Sequence, residues 1–227
     1  MWDRKDISQE RHWYYQQLAQ KCIAAFAKST VPAQYVDNHE EALSKLLSLI
    51  PEGASVGFGD SVTLFQIGID DALEKRNKNK LVNPFRKDGK DIFPTDINVA
   101  RRALTADIFL TGVNAVTLDG KLVSIDGRGN RVAGLIFGSE RAIVVAGANK
   151  IVANVDEALK RIKHVAAPLN AKRHLLKHGF ENPPPCALTG VCVDCRHPKR
   201  ICNFTVIVEG QMRPRLEVLL VGEELGI

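Results

Sequence analysis

Apolar residues Trp13, Leu18, Cys22, Ile23 and Phe26 recur at close to helical spacing near the amino terminus, which lays them on one face of a helix. The segment NHEEALSKLLSLI, residues 38–50, repeats that period. Asn38 precedes it as a cap, a residue type whose side-chain oxygen can accept from an otherwise unpaired helix amide. Residues 1–50 are therefore read as a helical arm. The pattern then changes. Ala54 to Gly57 form a short apolar strand, Gly57 and Gly59 make a turn, and Ser61 to Ile69 begin another helix. TDINVARRALTA, residues 95–106, offers Thr95 or Asp96 as the cap of a further helix.

DIFLTGVNAVTLDGKLVSIDGRGN, residues 107–130, reads as strand and turn, with Asp119-Gly120 a hairpin signal. NRVAGLIFGSE is a short helix, and AIVVAG, residues 142–147, is an uninterrupted apolar run of the kind found in buried parallel strands. NVDEALKRIKHV has Asn154 as a cap, Pro183 to Pro185 form a stiff lead, and FTVIVEG and RLEVLLVGEELG read as two late strands. Alternation of strands and helices at these lengths predicts an α/β fold, a three-layer, mostly parallel sheet with an N-terminal helical arm. The expected division is arm 1–50, α/β core 51–182, and 183–227 as a cysteine segment plus carboxyl-terminal strands completing the same domain.

Composition narrows the picture without redirecting it. A chain of 227 residues with 45% hydrophobic content can bury a sizeable core, so no metal is needed merely to hold it together. The amino-terminal segment lacks the apolar core of a signal peptide, and no apolar run approaches the ~20 residues that span a bilayer. A cytoplasmic protein with reduced thiols and no membrane partner is expected. The net charge of +5 comes partly from basic clusters at residues 74–90 and 160–178. With no nucleic-acid reading module beside them, they are read as solvated helix faces.

One stretch carries a resemblance. NAVTLDGKLVSIDGRGNRVAGLIFGSERAIVVAGANKIV, Asn114 to Val152, combines Asn-Ala-x-Thr, a turn, Asp126 and Gly129-Asn130-Arg131-Val132-Ala133 in one order. It closely resembles the lactate-utilisation, or LUD-domain, family, and GFGDSVTL upstream and the cysteine segment extend the likeness. The resemblance implies a fold similar to ribose-phosphate isomerases, sugar-phosphate deaminases and CoA transferases. It also implies a metabolic protein, a component of lactate or organic-acid utilisation working beside an iron–sulfur redox partner protein. The alternatives are a non-redox module or enzyme for a phosphorylated or CoA-linked metabolite, and a structural partner within a larger complex.

Three sets of residues carry the candidate chemistry. Gly57, Gly59, Asp60, Ser61 and Thr63 sit between a strand and a helix, where glycine lets a ligand approach and helix amides favour an anion. An ordinary tight turn with Asp60 as cap is the plainer alternative. Asn114, Thr117, Asp126, Asn130 and Arg131 fall at strand ends and a helix start, with Arg131 suited to a carboxylate or phosphate and Asp126 to a base or an orienting partner. The plainer reading has Asp126 making a turn and pairing Arg131, and Asn130 capping the helix. Lys150 reaches a bound anion or lies on the surface. A small anionic metabolite is the expected ligand.

Finally, Cys186, Cys192, Cys195 and Cys202 lie within CALTGVCVDCRHPKRIC. A C-x-x-C unit with two flanking cysteines can hold zinc or an iron–sulfur cluster; disulfides and plain thiols are the alternatives. His197 is the one histidine suited to stand in as a ligand. Convergence of all four sulfurs in one compact loop against the carboxyl-terminal strands is the expectation that follows. Cys22 reads as a core residue.

Overall fold

The computed structural model describes residues 6–87, 90–92 and 95–227. Helix α1 (Ser8–Phe26) opens the chain, but the helical pattern does not run through to residue 50. Thr30 turns left-handed at φ 58°, and β1 (Ala33–Val36) follows. Pro32 explains the break: it has no amide to donate, and it pushes the residue before it out of the helical region. Asn38 then caps α2 (His39–Leu49) by accepting from the Glu41 amide, as its position in the sequence predicts.

The next elements are β2 (Ser55–Phe58), α3 (Val62–Ile67), α4 (Ile69–Arg76) and β3 (Lys80–Val82), then the two-residue strands β4 (Arg86–Lys87) and β5 (Lys90–Asp91). Helix α5 (Ile97–Ala103) is capped by Asp96, whose side chain accepts from Asn98 and Val99. Strands β6 (Ile108–Gly112), β7 (Ala115–Thr117) and β8 (Leu122–Asp126) lead into α6 (Asn130–Ile136) and β9 (Arg141–Gly147). After β10 (Ile151–Val152), α7 (Val155–Arg161) passes through a π-helical turn at Ile162–Ala166 into α8 (Ala167–His178). The chain finishes with α9 (Pro185–Thr189), β11 (Phe204–Val208) and β12 (Leu216–Val221).

Six strands form one sheet in the order β1-β12-β9-β6-β2-β3, every neighbouring pair parallel. Its central strands β6 and β9 are buried almost throughout, which is why their sequences run apolar without alternation. Side chains leave the sheet on both faces. Phe109, Val144 and Leu220 pack with Cys22 and Phe26 of α1. Leu110, Ile143, Val145 and Leu219 pack with Leu46, Leu64 and Leu73 of α2, α3 and α4. The three layers expected from the sequence are present. The amino-terminal segment supplies an edge strand to the sheet and helices to both faces.

A second sheet, β10-β7-β8-β11, is mixed: β10 and β7 run parallel, and the other neighbours are antiparallel. Ala115 and Val123 pack beneath Ala158 and Ile162 in a small core of their own. The main sheet fixes where a ligand would sit. Strand β2 pairs with β3 on one side and β6 on the other, so the chain reverses its direction of travel across the sheet at β2/β6. Open parallel sheets leave a crevice beyond the carboxyl ends of the strands at such a reversal.

Candidate functional site

A cleft of about 490 Å³ lies at that position. Its floor comes from the ends of β2 (Asp60, Ser61), β6 (Gly112 to Asn114) and β8 (Ile125, Asp126), together with Lys150 just past β9. Helix α8 supplies Arg173, His174 and Lys177 along one wall, and the carboxyl end of the cysteine loop supplies Lys199, Arg200 and Ile201. With Arg128 and Arg131 also lining it, the cleft is strongly cationic and suited to a small anion.

Arg131 is held from behind. Its Nη2 donates to Asn114 Oδ1 at 2.9 Å and to the Ile125 carbonyl at 2.6 Å. Asn114 Oδ1 also accepts from the Ile125 amide at 2.9 Å, so Asn114 locks the guanidinium to β8. The rest of the fork is left for a ligand. Gly59 permits this placement: a Cβ there would stand 2.8 Å from Thr111 Oγ1 and 3.1 Å from Arg131 Cγ. Asp126 does not face the Arg131 guanidinium. Its Oδ2 accepts from the backbone amides of Arg131 at 2.9 Å and Val132 at 3.1 Å, and so caps α6. That carboxylate is a helix anchor, occupied where a base would need to be free. Asn130 lines the cleft, but Gly129, in the left-handed region at φ 88°, takes the cap position expected of Asn130.

Lys150 is neither on the surface nor paired with an acid. It is 3% exposed, and its Nζ donates to Thr63 Oγ1 at 2.8 Å and to the Val113 carbonyl at 3.2 Å. Burial, with the Arg161 and Arg131 guanidinium groups nearby, pushes its pKa down to about 7. Thr63 therefore serves the site through Lys150. Ser61 lines the cleft and caps α3, its Oγ accepting from the Leu64 amide, so the helix start is closed by its own side chain. Asp60 is not that cap. It faces α8 instead, with Arg173 Nη1 at 3.7 Å and His174 Nε2 at 4.0 Å. Burial lowers the His174 pKa against the pull of Asp60.

Two expected site residues lie elsewhere. Gly57 is buried within β2, where a Cβ would meet the Ala103 carbonyl at 2.2 Å, so it serves the packing of α5. Thr117 ends β7 and binds Asp119 and Lys121 in the hairpin turn. The basic cluster at residues 160–178 is not wholly a solvated face, as its sequence suggests, because Arg173, His174 and Lys177 line the cleft. Their spacing on α8 was the available signal, but the partner face was unknown.

Cys186 lies in α9 and the other three cysteines in the loop that follows, and all four of Cys186, Cys192, Cys195 and Cys202 line a single cavity of about 20 Å³. None forms a disulfide. The loop packs on α8 through Ala167 and reaches β8 through Asn203, which donates to the Asp126 and Gly127 carbonyls. Arg200 ties it shut, donating to the Cys195 carbonyl at 2.5 Å and the Cys202 carbonyl at 2.8 Å. Burial and the negative fields of Cys195, Cys192 and Cys202 push the Cys186 thiol up. Cys22 is fully buried in the core under α1, its thiol pushed up to about 12 by burial.

Two observations test whether this loop suits a metal group. His197 Nε2 and Arg200 Nε are buried without a partner among the described residues, and Arg200, which lines the cysteine cavity, is placed to offset the charge of metal-bound thiolates. Among the described residues, the one set of three or more potential ligands lying mutually within 4.8 Å is His39, Glu40 and Glu223 on the surface. No three of the four cysteine sulfurs lie mutually within that distance. A tetrahedral ion or an iron–sulfur cluster would draw its ligands from these four thiolates. Ala167, Arg200 and Ile201 line both cavities, so the cysteine ring and the cleft share a wall.

The LUD domain family matches residues 19–221 of the chain. No curated protein matches it. Among solved structures, a DUF162 family protein from Deinococcus radiodurans aligns over 92% of this chain and 98% of its own at 13% identity, with a TM-score of 0.47. Ribose 5-phosphate isomerase from Plasmodium falciparum aligns over 51% of this chain and 53% of its own at 18% identity, with a TM-score of 0.33. No helix among the described residues is long and apolar enough to cross a membrane.

Proposed function

Because the chain belongs to the LUD-domain family, we propose that it is a metabolic protein of the lactate-utilisation type, binding a small organic-acid anion in the cleft beside a cysteine-held iron–sulfur cluster. One observation carries this reading: Arg200, Ile201 and Ala167 separate the cationic cleft from the ring of four cysteines and belong to both. A substrate site and a redox centre need such closeness.

In this reading Arg131 holds the carboxylate by its charge and a hydrogen bond from Nη1, since Nη2 is committed to Asn114 and Ile125. Val113, Ile125 and Ile162 give the cleft an apolar lining that displaces water from the bound acid. Lys150 presents an amine at the floor, next to the carbon that bears the hydroxyl. Cys186, Cys192, Cys195 and Cys202 would hold the cluster, which when bound accepts and passes on single electrons. Oxidising a hydroxyl to a carbonyl releases two electrons, so the chain acts as one component beside an electron-accepting partner protein.

The test is a thermal-shift series on anaerobically purified protein. Lactate and close analogues stabilise the wild type, and Arg131→Gln loses most of that shift while keeping its own melting temperature within a few degrees. Stabilisation by CoA or ribose phosphates in place of organic acids, in a protein without metal, would favour the phosphorylated or CoA-linked metabolite instead.

A further inference from the structure

The buried amine of Lys150 has a use that anion binding alone does not require. A lysine that served only to attract an anion would do so best as a protonated, solvated ammonium. Lys150 instead sits in the floor of the cleft, held by one hydroxyl and one carbonyl and facing two guanidinium groups, with no ion pair to a carboxylate among the described residues. Such surroundings favour an uncharged amine with a free electron pair, the condition for attack on a carbonyl. The position is fixed: Thr63 enters from α3 and Val113 from the end of β6, and a Cβ on Gly226 would come within 2.7 Å of Nζ. Arg131 lines the same floor and is suited to a carboxylate.

We propose that Lys150 is a nucleophile that captures a 2-oxo acid in the cleft as an imine, with the acid's carboxylate on Arg131. This rests on the organic-anion reading above and names a second class of ligand for the same site. The Nζ electron pair forms a bond to C2 of the acid, and the carbonyl π pair moves to oxygen. The resulting carbinolamine loses that oxygen as water, which carries away the two amine hydrogens, and a C=N bond remains. Nothing is oxidised or reduced. The Thr63 hydroxyl, which accepts a hydrogen bond from Nζ, provides the first stop for the proton that leaves nitrogen. The product of oxidising a 2-hydroxy acid is a 2-oxo acid, so the imine would form with the reaction's own product.

The experiment uses the full chain, pyruvate and sodium borohydride, which reduces an imine to a stable secondary amine, followed by peptide mass spectrometry. The expected result is one carboxyethyl group on Lys150, at a level roughly tenfold above any other lysine, and suppressed by excess lactate. Lys150→Arg abolishes the adduct; should that variant not fold, suppression by lactate on the wild type makes the same distinction. Lys150 left unmodified, or modified no more than surface lysines, overturns the proposal. A thermal shift with pyruvate is recorded in parallel. Stabilisation without an adduct leaves the anion cleft standing and removes the imine, whereas neither stabilisation nor adduct removes both.

Discussion

Burying Lys150 between Thr63 and Val113 makes folding depend on pH in a particular direction. With its pKa lowered from 10.5 to about 7, the unfolded chain holds a proton that the folded chain lacks over that whole interval. Stability therefore rises with pH across it, and the cost of burial is present in full below about pH 7. Lys150→Met removes the dependence. The stability advantage of the variant over wild type should shrink by about 2 kcal/mol between about pH 7 and about pH 9 in urea denaturation, and a constant difference would contradict a buried, deprotonating amine. Gly59 gives a second test. Adding a Cβ beside Thr111 and Arg131 should weaken lactate binding about tenfold while costing about 1–3 kcal/mol of stability, read by calorimetric titration and denaturation. Several of these residues were legible in the sequence by type but not by role. Arg131 and Asn114 stood out from their order in the motif, yet the division of labour by which Asp126 anchors a helix and Asn114 holds the guanidinium depends on which atoms face inward. Thr117 and Asp60 illustrate the same gap, since their partners, Lys121 and Arg173, are fixed by a turn and by a helix distant in sequence.

At the scale of elements, local signals served well where one residue decides the geometry. Asn38, Asp96 and Asn154 cap the helices that their positions announce, and the apolar run of β9 is a buried parallel strand. Strand β1 is hard to see in the sequence because four residues with only partial burial carry little periodicity, although Pro32 marks the break. The basic run on α8 was assigned to solvent because helical spacing shows which residues share a face, not what that face meets. The four cysteines line one cavity, but no three of their sulfurs lie mutually within 4.8 Å, and the segment packs on α8 and the end of β8 rather than on the carboxyl-terminal strands. Its closure depends on Arg200, whose guanidinium spans the Cys195 and Cys202 carbonyls. Arg200→Ala should lower the iron bound per chain to less than half of wild type. Arg196→Ala, nearby in sequence and exposed, should leave it unchanged, both measured by metal analysis after anaerobic purification.

The whole molecule places two cavities back to back at the carboxyl edge of a parallel sheet, and that juxtaposition is what no sequence pattern announced. The alternation of strands and helices was enough to predict three layers. The reversal of strand order at β2/β6 that opens the cleft requires knowing which strands pair, and the shared wall requires knowing that residues 199–203 return to β8. The proposed coupling of substrate and cluster depends on that wall, and the electron paramagnetic resonance spectrum of the anaerobically purified, dithionite-reduced chain, with and without lactate, records both sides at once. The expected result is an iron–sulfur signal whose line shape changes when lactate fills the cleft. A protein that binds zinc or no metal at all, or a cluster signal indifferent to saturating lactate, would contradict it.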